Sequence, residues 1–155
     1  MDNATLARLE LSSDAFKDGQ SIPTRYTCDG AGETPSLSWR EPPAGTKSFA
    51  LVVDDPDAPS GTFRHWGVID IPPSARSLGA RERAGTEVVN DFGKRGYGGP
   101  CPPQGHGPHH YHFKLFALDA DRLRLDADAK IAEVEREAEQ HALGRGELIG
   151  TYERR

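Results

Sequence analysis

The chain has 155 residues, a hydrophobic fraction of 35% and a formal charge of −5, enough for one domain, residues 1–155, with a real hydrophobic core. The acidic balance and the lack of a basic block set nucleic acid aside as a partner. No apolar run approaches the length of a membrane span.

The opening residues, "MDNATLARLELSSDAF", lack a basic-then-apolar signal layout, which points to the cytoplasm. Leu9 and Leu11 alternate with Arg8 and Glu10, the pattern of a half-buried strand. "SIPTRYTCDGAGETP" reads as a strand fragment plus loop. Leu37 and Trp39 of "SLSW" share a face, and "PPAG" at 42–45 is a turn. "SFALVV", 48–53, is rich in β-formers and predicts a buried strand; "FRHWGVIDI", 63–71, predicts another, stopped by Pro72 and Pro73. Residues 72–87 are polar and mixed in charge, as in a surface loop. Along "YHFKLFALD", 111–119, Tyr111, Phe113, Leu115 and Ala117 fall on one face.

A single helix is predicted, over 126–143, from its Asp caps and its Ala- and Glu-rich body. Ile131, Val134 and Ala138 form a thin apolar stripe along it, and Gly144 is the breaker. "ELIGTY" closes the chain as a strand. Many short strands with one late helix predict a mainly β protein, a β-sandwich with a peripheral C-terminal helix.

Two segments carry candidate chemistry. In "DDPDAPSGTFRHW", 54–66, a buried strand runs into Asp54, Asp55 and Asp57, stiffened by Pro56 and Pro59. His65 follows on the next strand, with Trp66 on its opposite face. The plain alternative is an acidic turn whose carboxylates accept backbone N–H groups. In "GGPCPPQGHGPHHYHF", 98–113, a long loop with four prolines leads into a strand. Four of the six histidines lie between 106 and 112. Strand parity puts His109, Tyr111 and Phe113 on one face and His110, His112 and Lys114 on the other. The four imidazoles therefore cannot converge on one ligand.

That parity ranks the readings. His110 and His112 form a zinc or copper half-site without an evident third ligand, and Lys114 beside them disfavours a cation. Solvated imidazoles are the simpler account of that pair. Ser60, His65 and Asp55 are the residue types of a triad, but no G-x-S-x-G elbow accompanies them. Cys101 near the histidines is a candidate activated thiol, or a small residue filling a tight loop. "DFG" at 91–93 lacks the other kinase motifs. Cys28 and Cys101 form no C-x-x-C; two thiols are the default in a reducing compartment, and one disulfide is the alternative.

Taken together, "DPDAPSGTFRHW" and "GYGGPCPPQGHGPHHY" resemble the two signature blocks of the phosphatidylethanolamine-binding protein family, most closely its bacterial Raf-kinase-inhibitor-like branch. The likeness extends to "PAGTKSFALVVDDPDAP", "NDFGKRGYGGPCPP" and "GELIGTYER". It implies a sandwich of antiparallel sheets with peripheral helices and a small pocket for phosphate-like anions on a lipid, nucleotide or protein. It places Asp55, His65, Pro103, His109 and Tyr111 in that pocket, with Asp57 supporting the turn. It implies no cofactor and no resident metal. A homodimer is common in this branch, while a Raf-type kinase partner belongs to others. One departure stands out: the family usually has Arg where this chain has His110, on the face opposite His109 and Tyr111. The competing expectations are a hydrolase using Asp55 and His65 or Cys101, and a metal protein using His110 and His112.

Overall fold

The computed structural model describes residues 6–126 and 128–155. Its strands are β1 (Ala7–Arg8), β2 (Glu10–Ser12), β3 (Leu37–Arg40), β4 (Ser48–Asp55), β5 (Phe63–Ile71), β6 (Ser77–Leu78), β7 (Thr86–Glu87), β8 (His109–Leu118) and β9 (Ala142–Tyr152); α1 spans Ile131–His141. A six-stranded sheet runs β1-β9-β8-β4-β5-β7, and a three-stranded sheet runs β2-β3-β6. The protein is mostly β with one late helix, as its patterning predicts. The sheets are antiparallel except where β1 pairs parallel with β9.

Alternation builds two cores. Phe49, Leu51 and Val53 of β4 meet Tyr111, Phe113 and Leu115 of β8, and the small sheet covers them with Leu11, Leu37, Trp39 and Leu78. The intervening residues Ala50, Val52, Phe116 and Leu118 face the other way, against Ile131, Val134 and Ala138 of the helix. Strand β4 is buried on both faces along its whole length. The single apolar stripe of α1 suits a helix laid on a sheet. Gly67 gives it room, since a Cβ there would come within 2.8 Å of Ile131 and Val88.

Several elements differ from their predicted bounds. The early strand divides at Leu9, with β1 in the large sheet and β2 in the small one. Residues 72–87 are not all loop, because they contribute the two-residue strands β6 and β7. The helix begins later than Asp126, because Lys130 is extended and bridges Val89. Glu133 then accepts the Lys130 N–H, so the cap is not an aspartate. Gly144 does not end the helix. It lies within β9, which begins at Ala142 and pairs with β8 along its length. Residue 127 of the predicted helix lies outside the described residues.

Lys114 joins the helix to the sheet. Its Nζ lies 2.9 Å from Asp54 and 2.7 Å from Glu135, and the Lys114 and Asp54 side chains are only 14% and 5% exposed. Burial opposes the charge on Lys114, but the bonds to Glu135 and Asp54 outweigh it and raise its pKa. Removing one partner of a buried pair strands the other's charge. Lys114→Ala is therefore expected to cost about 2 kcal/mol in urea unfolding, and Asp54→Asn in the same chain is expected to recover part of that loss.

The cysteines are not two thiols. Cys28 and Cys101 form a disulfide, with their Cα atoms 5.4 Å apart. The fold brings the two loops together, and the Cys28 N–H donates to the Pro100 carbonyl at 3.1 Å. This bond also removes Cys101 as a candidate nucleophile, since a disulfide sulfur carries no thiolate.

Candidate functional site

The site is assembled where β4, β5 and β8 end beside the 98–108 loop. Asp55 closes β4 and enters the Asp-Pro-Asp turn. Its Oδ1 accepts the Asp57 N–H at 2.8 Å, which locks the turn. Its Oδ2 lies 2.6 Å from His109 Nδ1, with both side chains buried. An ionised carboxylate is acceptor-only, so His109 Nδ1 carries the proton.

Asp57 faces outward. Its Oδ2 accepts the His110 backbone N–H at 2.9 Å and lies 2.7 Å from His110 Nδ1. The side-chain bond from His110 is the main reason the Asp57 carboxyl is held below the usual range. Asp55 and Asp57 thus grip two successive histidines at the start of β8. His110 clamps the turn from its exposed side.

The placement of His65 depends on an irregularity. Val53 pairs with Trp66 but Asp54 pairs with Arg64, so His65 is the extra residue of a bulge. A bulge re-aims side chains next to a site. Here it sets the His65 ring edge-on to Tyr111, with centroids 5.3 Å apart, while Trp66 stays in the sandwich core. His65 Nδ1 donates to the Gly98 carbonyl at 2.7 Å, and the Gly98 N–H returns a bond to the His65 carbonyl at 2.9 Å. Burial pushes the His65 pKa down, so the ring is neutral with its proton on Nδ1. Burial, reinforced by the Asp55 charge, raises the Tyr111 phenol. Tyr111 therefore stays protonated as a donor.

The loop that closes the site is held at both ends. The disulfide and the Cys28–Pro100 bond fix one end, and Gly105 N–H to the Arg154 carbonyl fixes the other, at 2.8 Å. A Cβ on Gly99 would lie 2.6 Å from the Tyr26 carbonyl oxygen, so the backbones meet there without space for a side chain. Gly99→Ala is expected to destabilise the fold by about 2 kcal/mol, checked by thermal unfolding.

These elements enclose a cavity of about 200 Å³, lined by Asp55, Ala58, Pro59, Phe63, His65, Phe92, Cys101, Pro102, Pro103, His109 and Tyr111. Five of the six residues named from the sequence line it. Asp57 instead braces the turn from outside. Phe63, Phe92 and the buried Pro102 were not foreseen. Phe92 is 45% exposed, and the polar turn around it hides its role in the sequence. A wider groove of about 660 Å³ runs along Leu6–Leu11 and Arg145–Glu147, and no histidine lines it.

The competing arrangements are not assembled. His65 bonds to Gly98 and Asp55 bonds to His109, so neither a Ser60–His65–Asp55 relay nor an Asp55–His65 bond forms. His110 and His112 turn their Nδ1 atoms to Asp57 and Glu147 respectively. Among the described residues, no group of three or more His, Cys, Asp or Glu is placed to hold a metal ion. No helix among them is long and apolar enough to cross a membrane.

A family model described as phosphatidylethanolamine-binding protein matches residues 12–153. The chain is 47% identical over 154 residues to a UPF0098 protein of Aquifex aeolicus (strain VF5), covering 96% of this chain and 90% of the relative. It is 42% identical over 147 residues to LppC of Mycobacterium tuberculosis, which bears a lipoprotein name, covering 94% of this chain and 72% of that one. The crystal structure of Escherichia coli YbcL, described as a member of the mammalian PEBP family, superposes with a TM-score of 0.89. That match is at 34% identity and covers 96% of this chain and 100% of YbcL. The homolog CT736 of Chlamydia trachomatis gives a TM-score of 0.86 at 33% identity, covering 96% and 99% of the two chains.

Proposed function

The chain belongs to the phosphatidylethanolamine-binding protein family, and on that premise we propose that the cavity beside Asp55 receives a phosphate-like anion on a small ligand. Family membership carries small-ligand binding with it. One observation supports the finer reading: two imidazoles, a phenol and a buried carboxylate from three strands line a single cavity of about 200 Å³.

Each group has a distinct task. Asp55 orients His109 by accepting its Nδ1–H. Tyr111 donates its O–H. His65, neutral when the cavity is empty, gains a second N–H when an anion draws a proton onto Nε2. Phe63, Phe92 and Pro102 supply apolar walls for whatever carries the anionic group. All of these residues come from one chain, so the reading does not require a second copy; a homodimer would be an added feature.

Proton uptake by His65 gives the reading a pH signature. Burial lowers the pKa of the ring in the empty cavity, and an adjacent anion raises it in the complex. Affinity should therefore strengthen as pH falls through the raised pKa of the complex and level off below the lowered pKa of the empty state. Sulfate, which does not titrate in this range, is the cleaner probe beside inorganic phosphate. His65→Ala is expected to weaken binding roughly 10- to 100-fold by calorimetry, the worth of one charge-assisted bond. A pH-independent affinity, unchanged in His65→Ala, would be incompatible with the proposal.

The disulfide bears on where this happens. Such bonds persist mainly in oxidising compartments, so residence in a reducing cytoplasm would require this one to resist the thiol pool.

A further inference from the structure

His109 has no ring nitrogen left for a ligand. Its Nδ1 donates to Asp55, and its Nε2 lies 2.6 Å from Nδ1 of His106. The two rings are tilted by 59°, with centroids 4.9 Å apart. His106 is exposed and does not line the cavity. It sits between Gly105 and Gly107, at φ of 76° and 85°. Both values lie in the left-handed region that glycine adopts without steric cost, and this pair of turns brings the imidazole back onto His109.

An N···N contact this short holds one proton between the two rings. One ring donates and the other accepts. A ligand reaching His109 Nε2 must therefore remove His106 first.

Resting on the anion-pocket reading above, we propose that His106 is a specificity-determining residue: an internal competitor that occupies His109 Nε2 in the empty pocket and yields to an anion but not to a neutral acceptor. The protons balance as follows. The form of the pair that an anion opens is the one with three ring protons, which carries one positive charge. On displacement the bridging proton stays on His109, His106 leaves as a neutral ring, and the anion becomes the acceptor. The bond lost, imidazolium to imidazole, and the bond gained, imidazolium to anion, are both charge-assisted, but only the second joins opposite full charges. An alcohol, an ester carbonyl or water offers no such gain over the imidazole it would replace.

The bridge can be observed directly. In protein labelled with ¹⁵N-histidine, a scalar coupling across the N–H···N bond should link His106 Nδ1 to His109 Nε2. Saturation with inorganic phosphate should abolish that coupling, whereas acetamide at the same concentration should leave it intact. His106→Ala, a change at an exposed loop residue, should keep the melting temperature and bind phosphate about 5- to 10-fold more tightly. His106→Asn, which retains a short polar cap, should fall between the two. A coupling that survives saturating phosphate, or an affinity unchanged or weakened in His106→Ala, overturns the competitor while leaving the anion pocket in place. Failure of both wild type and His106→Ala to bind phosphate removes both readings.

Discussion

Replacing Cys28 and Cys101 together by serine is expected to lower the unfolding free energy by about 4 kcal/mol, the loop-closure entropy for their separation of 73 residues. The consequence is local as well as global. Cys101 lines the cavity, and its neighbour Pro100 receives the Cys28 N–H. Without the bond, the wall formed by Pro102 and Pro103 loses its covalent tether to the 24–30 segment and keeps only the Cys28–Pro100 backbone bond and the packing of Gly99 on Tyr26. Phosphate affinity should fall along with stability, and reduction of the wild-type protein should reproduce both effects. Urea unfolding with and without dithiothreitol measures the first, and calorimetry the second. A reduced protein with an unchanged midpoint would mean that the two loops are held by packing alone.

How much of this arrangement was legible depended on whether the signal was local. The alternation along β8 is local: Tyr111, Phe113, Leu115 and Ala117 face the sandwich core, while His112, Lys114 and Phe116 face outward or toward the helix. The stiff turn at Asp55 and Asp57 was legible for the same reason, because proline and aspartate act on their own neighbours. The orientation of His65 was not. Simple alternation separates it from Trp66 but does not aim it at Tyr111; that depends on a bulge set by the pairing of β4 with β5. The disulfide was hidden by its span, and Phe92 by the polar turn around it. Strands β6 and β7 are two residues each, too short to carry a period. The glycines around His106 were visible in "GHG", but their meaning lies in a neighbour three residues on, which only the folded loop supplies.

The geometry of the pocket depends most on Asp55, and two substitutions there separate its charge from its shape. Asp55→Ala leaves the buried His109 Nδ1–H and the part-buried Asp57 N–H without their acceptor. The expected cost is about 3 kcal/mol in urea unfolding, in the range for breaking a buried paired group. Asp55→Asn keeps the volume but carries one acceptor and one donor, where the carboxylate offered two acceptors. If the amide oxygen keeps the Asp57 N–H, the amide nitrogen faces His109 Nδ1 and forces the proton to Nε2. His109 then becomes a neutral ring of the opposite tautomer, with no carboxylate to support an imidazolium. Stability should fall by only about 1 kcal/mol, yet phosphate affinity should fall at least 10-fold, and the His109 ¹⁵N shifts should report the exchanged tautomer. Wild-type affinity in Asp55→Asn would show that the carboxylate only holds the ring in place. Loss of affinity in a variant that remains folded would show that a neutral Nε2–H donor is not enough and that the carboxylate's charge is needed to bind an anion.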